Sequence, residues 1–153
     1  MNIVITIDVE SYSGDYAREV YAGGLGLPFI LSCLGSHQVR GTFFVEALGA
    51  TRWGAEGTQT VCRDVMAAGQ EVQLHIHPSV ACLEGFIDQD DVLWNQDVGT
   101  QERLMRAGLE ILAQCGVNAT AFRAGDLAAN EDTLTAMRRI GILLGSNRDL
   151  DTK

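Results

Sequence analysis

Apolar residues along this chain fall into two kinds of run. Short β-branched or aromatic runs alternate with longer stretches on a helical period. Residues 2–7 (NIVITI) read as a buried strand. Residues 27–34 carry apolar positions on a helical period and stop near Gly35. Residues 39–45 (VRGTFFV) read as a second strand. Residues 58–68 follow as a helix with Val61, Val65 and Ala68 on one face and Gly69 as its stop. Residues 70–77 (QEVQLHIH) alternate cleanly. Val72, Leu74 and Ile76 fall on one side, and Glu71, Gln73, His75 and His77 on the other. A long helix is expected over residues 95–115, carrying Leu104, Met105, Leu109, Ile111 and Leu112 and closed by Gly116. Residues 119–123 form a fourth strand. Asn130 caps a helix through Arg139, with Leu134 and Met137 inward and Gly141 at the stop. Residues 142–144 begin a fifth strand.

Strands and helices thus alternate five and four times, the pattern of parallel strands joined by right-handed crossovers. A doubly wound sheet and a (β/α) barrel both fit. The polar residues Asp8, Glu10, His75, His77 and Arg123 sit at or just past the ends of strands one, three and four. A barrel gathers all its strand ends around one mouth, whereas an open sheet gathers only those at its switch point. The barrel is therefore preferred. A full eight-unit barrel needs roughly 250 residues. At 153 residues the chain is expected to be one domain, an N-terminal portion cut after about five strands.

Charge narrows the partners. With 11 basic and 20 acidic residues the net charge is −9, which argues against nucleic acid or an anionic membrane surface. No apolar run reaches the roughly 20 residues of a membrane span. The first ten residues lack the basic start of a signal peptide, so a cytoplasmic protein is expected. Cys33, Cys62, Cys82 and Cys115 are too scattered for zinc-ribbon or thioredoxin spacing, and the three in helical stretches read as small core residues. The Gly23-Gly24-Leu25-Gly26 stretch lacks the ending of a phosphate loop. Asp88, Asp90, Asp91 and Asp97 around Trp94 read as a solvated face.

Candidate chemistry lies at the strand ends. Asp8 and Glu10 share parity, so both can point the same way as metal ligand and general base, or as a loop cap and a solvated acid. His75 and His77 are likewise on one side of a strand that Pro78 ends, a workable chelating pair or two hydrogen-bonded imidazoles. Arg123 closes an apolar strand and needs an anion, for which Asp8 and Glu10 are the partners at hand. Asp126, beside Gly125, either joins the site or caps the next turn. His37 is expected to face solvent.

These residues, in this order, resemble the polysaccharide deacetylase family (the NodB-homology domain of family-four carbohydrate esterases). Thr6-Ile7-Asp8-Val9-Glu10 is similar to its first motif, in an Asp-Val-Glu form. Gly69 to Ser79 is similar to its second, Phe122-Arg123-Ala124-Gly125 to its third, and Gly41-Thr42-Phe43-Phe44-Val45 to its second strand. The resemblance implies a distorted seven-stranded (β/α) barrel. It implies hydrolysis of N- or O-acetyl groups on a sugar or glycan, with a divalent metal (zinc, or cobalt or nickel) held by one acid and two histidines. Asp8 then matches the general base, Arg123 the arginine that orients it, Glu10 the metal-binding acid and His75 the first metal histidine. Gly125 and Asp126 fall in the substrate-binding element. The chain departs from the pattern at Ser79, where the second histidine of His-x-x-x-His would stand, and His77 is the substitute. It also carries no counterpart of the family's late histidine, which protonates the leaving group. A catalytically impaired remnant or glycan-binding module, and a metal-independent amidohydrolase acting on C–N bonds, are the competing readings. Association into oligomers is expected if the open barrel edge is exposed.

Overall fold

The computed structural model describes residues 3–22, 25–84 and 92–147. Five strands form one parallel sheet in the order β1 (Ile5–Val9), β2 (Gly41–Glu46), β3 (Glu71–Ile76), β4 (Ala121–Ala124) and β5 (Leu144–Gly145). The spatial order follows the chain order with no reversal. A doubly wound sheet would reverse at its switch point, so this is the strand order of a barrel arc.

Helices α2 (Leu27–Ser36), α4 (Glu56–Ala67), α5 (Val98–Gln114) and α6 (Glu131–Ile140) make the crossovers, and α1 (Tyr16–Glu19) and α3 (Ala50–Trp53) are single turns within loops. Val9, Phe43, Val45, Val72, Leu74, Ile76 and Phe122 point at the helices and are buried. From α4, α5 and α6 they meet Val61, Val65, Leu104, Leu112 and Met137. Each such side chain contributes roughly 2 kcal/mol by leaving water. Gly108 sets how closely α5 sits: a Cβ there would lie 2.7 Å from Leu74 Cδ1.

The remaining face is polar. Register places Thr6 and Asp8 level with Thr42 and Phe44, Gln73 with Phe44, and His75 with both Glu46 and Arg123. Arg123 Nη1 donates to Asp8 Oδ1 at 2.6 Å although β2 and β3 lie between their strands. On a flat sheet, strands three apart are separated by about 14 Å, beyond comfortable reach of the two side chains. The sheet therefore curls with this polar face on the inside, as the barrel expectation requires.

Several local expectations shift. The first strand runs to Val9, because Asp8 and Val9 still pair with β2; Asn2 lies outside the described residues. The long helix begins at Val98, where Asp97 accepts from Gly99 N and Thr100 N; Asp97 is thus a cap rather than only part of a solvated face. Asp88, Asp90 and Asp91 lie outside the described residues, as do Gly23 and Gly24. Leu134 is 48 % exposed rather than inward, since α6 turns Thr133, Ala136 and Met137 to the core and Leu134 falls on the next side round. Ala68 is likewise exposed, at the C-cap of α4. Asn130 does cap α6, in a capping box with Thr133, and Gly141 ends it in the left-handed region. All four cysteines are free: Cys62 is buried, Cys33 and Cys115 half-buried and Cys82 exposed. No helix among the described residues is long and apolar enough to cross a membrane.

Candidate metal centre

Two groups of side chains form on the inner face, one from each carboxylate of the first strand. Asp8 belongs to the guanidinium of Arg123. Besides Asp8, Arg123 donates from Nη2 to Thr6 Oγ1 at 2.8 Å and to Ser146 Oγ at 2.7 Å, and from Nε to the Ser146 carbonyl at 3.1 Å. Its guanidinium carbon lies 4.3 Å from the centre of the Phe44 ring. This one head group is thereby fixed to β1, to β2 and to the residue after β5, and Asp8 inherits that rigidity. Asp8, Arg123, Leu127, Ser146 and Asn147 line an open cleft of about 480 Å³.

Glu10, one pleat further on, belongs to the imidazoles. Its Oε1 lies 3.1 Å from His75 Nε2 and its Oε2 3.4 Å from His77 Nε2, while the two Nε2 atoms are 3.2 Å apart. Both histidines are buried. Hydrogen bonds from His75 and His77 hold the Glu10 carboxyl well below the usual carboxylate range, against the opposing effect of burial. His75 Nδ1 lies 2.8 Å from the Arg123 carbonyl oxygen. A carbonyl can only accept, so Nδ1 carries a proton; Nε2 then either carries a second proton and donates to Glu10 or, in the neutral ring, presents a bare lone pair. That lone pair points among a carboxylate oxygen and a second ring nitrogen. Three electron-rich atoms gathered so closely need a positive charge between them, either a proton or a metal cation.

The spacing fits a cation of zinc's size. Bonds of about 2.0–2.1 Å in tetrahedral geometry place donors about 3.3 Å apart, and the distances here are 3.1, 3.2 and 3.4 Å. The backbone carbonyl on Nδ1 is the outer hydrogen bond that a ligating histidine ordinarily makes. Behind His77, Gly125 leaves room for the ring: a Cβ at that position would lie 2.3 Å from its Cε1. Among the described residues, these three form the only group of His, Cys, Asp or Glu side chains with this convergence.

Beneath the site lies a carboxyl that the sequence reading passed over. Glu46, at the end of β2, stands level with His75 and is buried. Its Oε1 accepts from Leu48 N and its Oε2 from Gly49 N, each at 2.8 Å. Burial pushes it up to about 7, opposed by those two amides and by the positive potential of the histidines. Its signal was the one used for Asp8, an acid ending an apolar strand.

Of the expected site residues, the structure brings Asp8 to Arg123, and Glu10 to His75 and His77. Arg123 pairs with Asp8; the contacts of Glu10 are instead with the imidazoles. Gly125 supports the His77 ring. Asp126 is exposed, with a φ of +53°, and its neighbour Leu127 is the residue that lines the cleft beside Asp8. Ser79 sits in a 3-10 turn, Pro78–Val80, immediately after the strand end. His37 is exposed at the C-cap of α2, with Nδ1 2.8 Å from the Cys33 carbonyl oxygen.

No family model matches the sequence, and no curated protein does. Solved structures do. A polysaccharide deacetylase structure from Mycobacterium smegmatis superposes with a TM-score of 0.66 at 24 % identity, over 93 % of this chain and 49 % of that one. A family-four carbohydrate esterase from Streptomyces lividans, solved with acetate, gives 0.63 at 14 % identity over 93 % and 60 %. A pseudoenzyme of the same family from Bacillus anthracis gives 0.63 at 16 % identity over 93 % and 41 %. The chain therefore has the fold of the family-four carbohydrate esterases and spans about half the length of those structures.

Proposed function

We propose that this chain carries the metal and base half of a carbohydrate deacetylase, a hydrolase that removes N- or O-acetyl groups from a sugar or glycan. The observation that carries the reading is the crowding of Glu10, His75 and His77 at ligand spacing, with the His75 tautomer already fixed for coordination. When bound there, a divalent cation (zinc, cobalt or nickel) supplies the Lewis acidity that polarises an acyl carbonyl and makes water a nucleophile near neutral pH. Glu10, His75 and His77 hold it. Asp8 takes the proton from the attacking water as general base. Arg123 fixes the direction from which Asp8 does so, and its remaining contacts stop it from swinging into the cleft. Gly125 and Asp126 border the entry for the acetylated sugar.

The test is acetate release from acetylated chito-oligosaccharides by the purified chain, with and without added Zn²⁺ or Co²⁺. Metal-dependent release that Asp8→Asn abolishes supports the reading; binding of no divalent metal overturns it.

A second reading rests on Ser79, which stands where the related pattern has a metal histidine. A protein with this fold is a pseudoenzyme, and a mutant of that pseudoenzyme has restored activity. In this reading the chain is a glycan-binding remnant. Binding of no zinc, cobalt or nickel, regained in Ser79→His, would favour it. Release of ammonia without metal would instead favour an amidohydrolase.

A further inference from the structure

We propose that Glu19 is a positioning residue for the metal centre: its carboxylate ties down the chain immediately after Glu10 and so sets where the Glu10 carboxylate sits against His75 and His77. This rests on the metal reading above and adds to it a residue that is none of the three donors.

The donors are not held alike. His75 lies within β3, level with Glu46 on one side and Arg123 on the other. Glu10 comes one residue after Val9, the last paired position of β1, and β1 has β2 on one side only. The backbone thus leaves the sheet where this side chain must be placed. Residues 11–15 follow as a loop, and then the single turn α1, whose last residue is Glu19. Glu19 reaches back across that loop. Its Oε2 accepts from Ser11 Oγ at 2.5 Å, from Tyr12 N at 3.0 Å and from Ser13 N at 3.3 Å, and its Oε1 accepts from Ser13 Oγ at 2.8 Å. Ser11, the neighbour of Glu10, is buried, and its Oγ also accepts from Gly14 N at 3.0 Å. These bonds, that from Ser11 most of all, hold Glu19 below the usual carboxylate range.

Behind Glu19 stands the body of the fold. The next residue, Val20, is buried in the core. At the other end of α1, the Tyr16 hydroxyl lies 3.0 Å from Thr58 Oγ1, and its ring packs so directly on Gly57 of α4 that no Cβ would fit there. A line of contacts therefore runs from the core through α1 and the Glu19 carboxylate to Ser11. A carboxylate suits this task, because its two oxygens accept several charge-assisted bonds at once. Placement matters here, since a metal ligand must be held to within about 0.5 Å. Glu10 brings the one oxygen-bearing side chain of the three. Were the loop to relax, its carboxylate would drift while the two buried imidazoles stayed in place.

The experiment is titration of the purified chain with Co²⁺, followed by visible absorption, on wild type, Glu19→Ala, Glu19→Gln and Asp97→Ala, with a thermal melt of each metal-free protein. Asp97→Ala removes the cap of α5 and so supplies a loss of stability that leaves the loop alone. Glu19→Ala should bind Co²⁺ about tenfold more weakly than wild type, with a shifted band. Glu19→Gln keeps an acceptor for Ser11 and Tyr12, and the Ser13 hydroxyl can turn to accept from the amide, so most of the affinity and the wild-type band should return. Asp97→Ala should melt lower and leave affinity and band unchanged. If Glu19→Ala does not fold, Ser11→Ala takes its place, and binding about threefold weaker is expected. Wild-type affinity and band in the loop variant, or an equal weakening in Asp97→Ala, would overturn the proposal and leave the metal reading standing. If wild type takes up no Co²⁺, the metal reading falls, and the role of Glu19 with it.

Discussion

Asp8, in β1, and Glu10, just past its end, are carboxylates two residues apart that point into the same face, yet they have opposite surroundings. Asp8 meets a guanidinium whose charge is permanent, so the pair is complete within the protein. Glu10 meets two ring nitrogens, and that group is complete only with a proton or a cation. One centre is a finished ion pair and the other is a socket. The residue type opposite an acid, more than the acid itself, decides whether its charge is already matched or is still open to a cation.

The contrast can be broken most sharply at Asp8. Asp8→Asn should lower metal-dependent acetate release about a thousandfold while changing Co²⁺ affinity less than threefold or so, read by titration calorimetry beside the activity assay. The reverse substitution, His75→Ala, should weaken Co²⁺ binding by more than about a hundredfold, since losing a ligand costs more than losing its outer hydrogen bond. It should leave the Asp8–Arg123 pair in place, while the cavity left by a buried ring and the unpaired Arg123 carbonyl lower the melting temperature of the metal-free chain.

Glu46 sharpens the comparison as a third acid with neither kind of partner. Its carboxyl is raised from 4.5 to about 7 by burial. The folded protein therefore holds a proton that the unfolded chain has already released. Stability from this group is complete below about pH 4.5 and is lost as pH rises through 7, a fall of about 3 kcal/mol. In Glu46→Gln the urea midpoint of the metal-free chain should be flatter across that window than in wild type. It should also be lower at pH 5, because one of the two oxygens that accept from Leu48 N and Gly49 N is replaced by an NH2 group, which cannot accept. The smallest effect is expected at Gly125→Ala. A methyl group pressed on the His77 ring should weaken Co²⁺ binding about tenfold and leave Asp8 and its partner untouched.

Much of this arrangement could be read from the sequence, for physical reasons. The alternation in residues 70–77 has the period of a strand, so it placed both histidines on one face before any coordinates. The parity of Asp8 and Glu10 did the same on β1. Pattern alone left both acids open to Arg123, because the pairing depends on the curvature of the sheet; only the family resemblance assigned Asp8 to Arg123 and Glu10 to the histidines. Glu46 was missed because the second strand was taken to end at Val45, one residue short of the last paired position. Leu134 was placed inward because a helical period alone does not say which apolar stripe faces the sheet.

Arg123 serves both centres at once. Its side chain holds Asp8, and its carbonyl holds the Nδ1 proton of His75. A slip of β4 by a single residue would turn the guanidinium to the helices and withdraw the carbonyl in the same movement. A misaligned chain would thus lose its ion pair and its socket together, so each of the two groups reports on the same strand register.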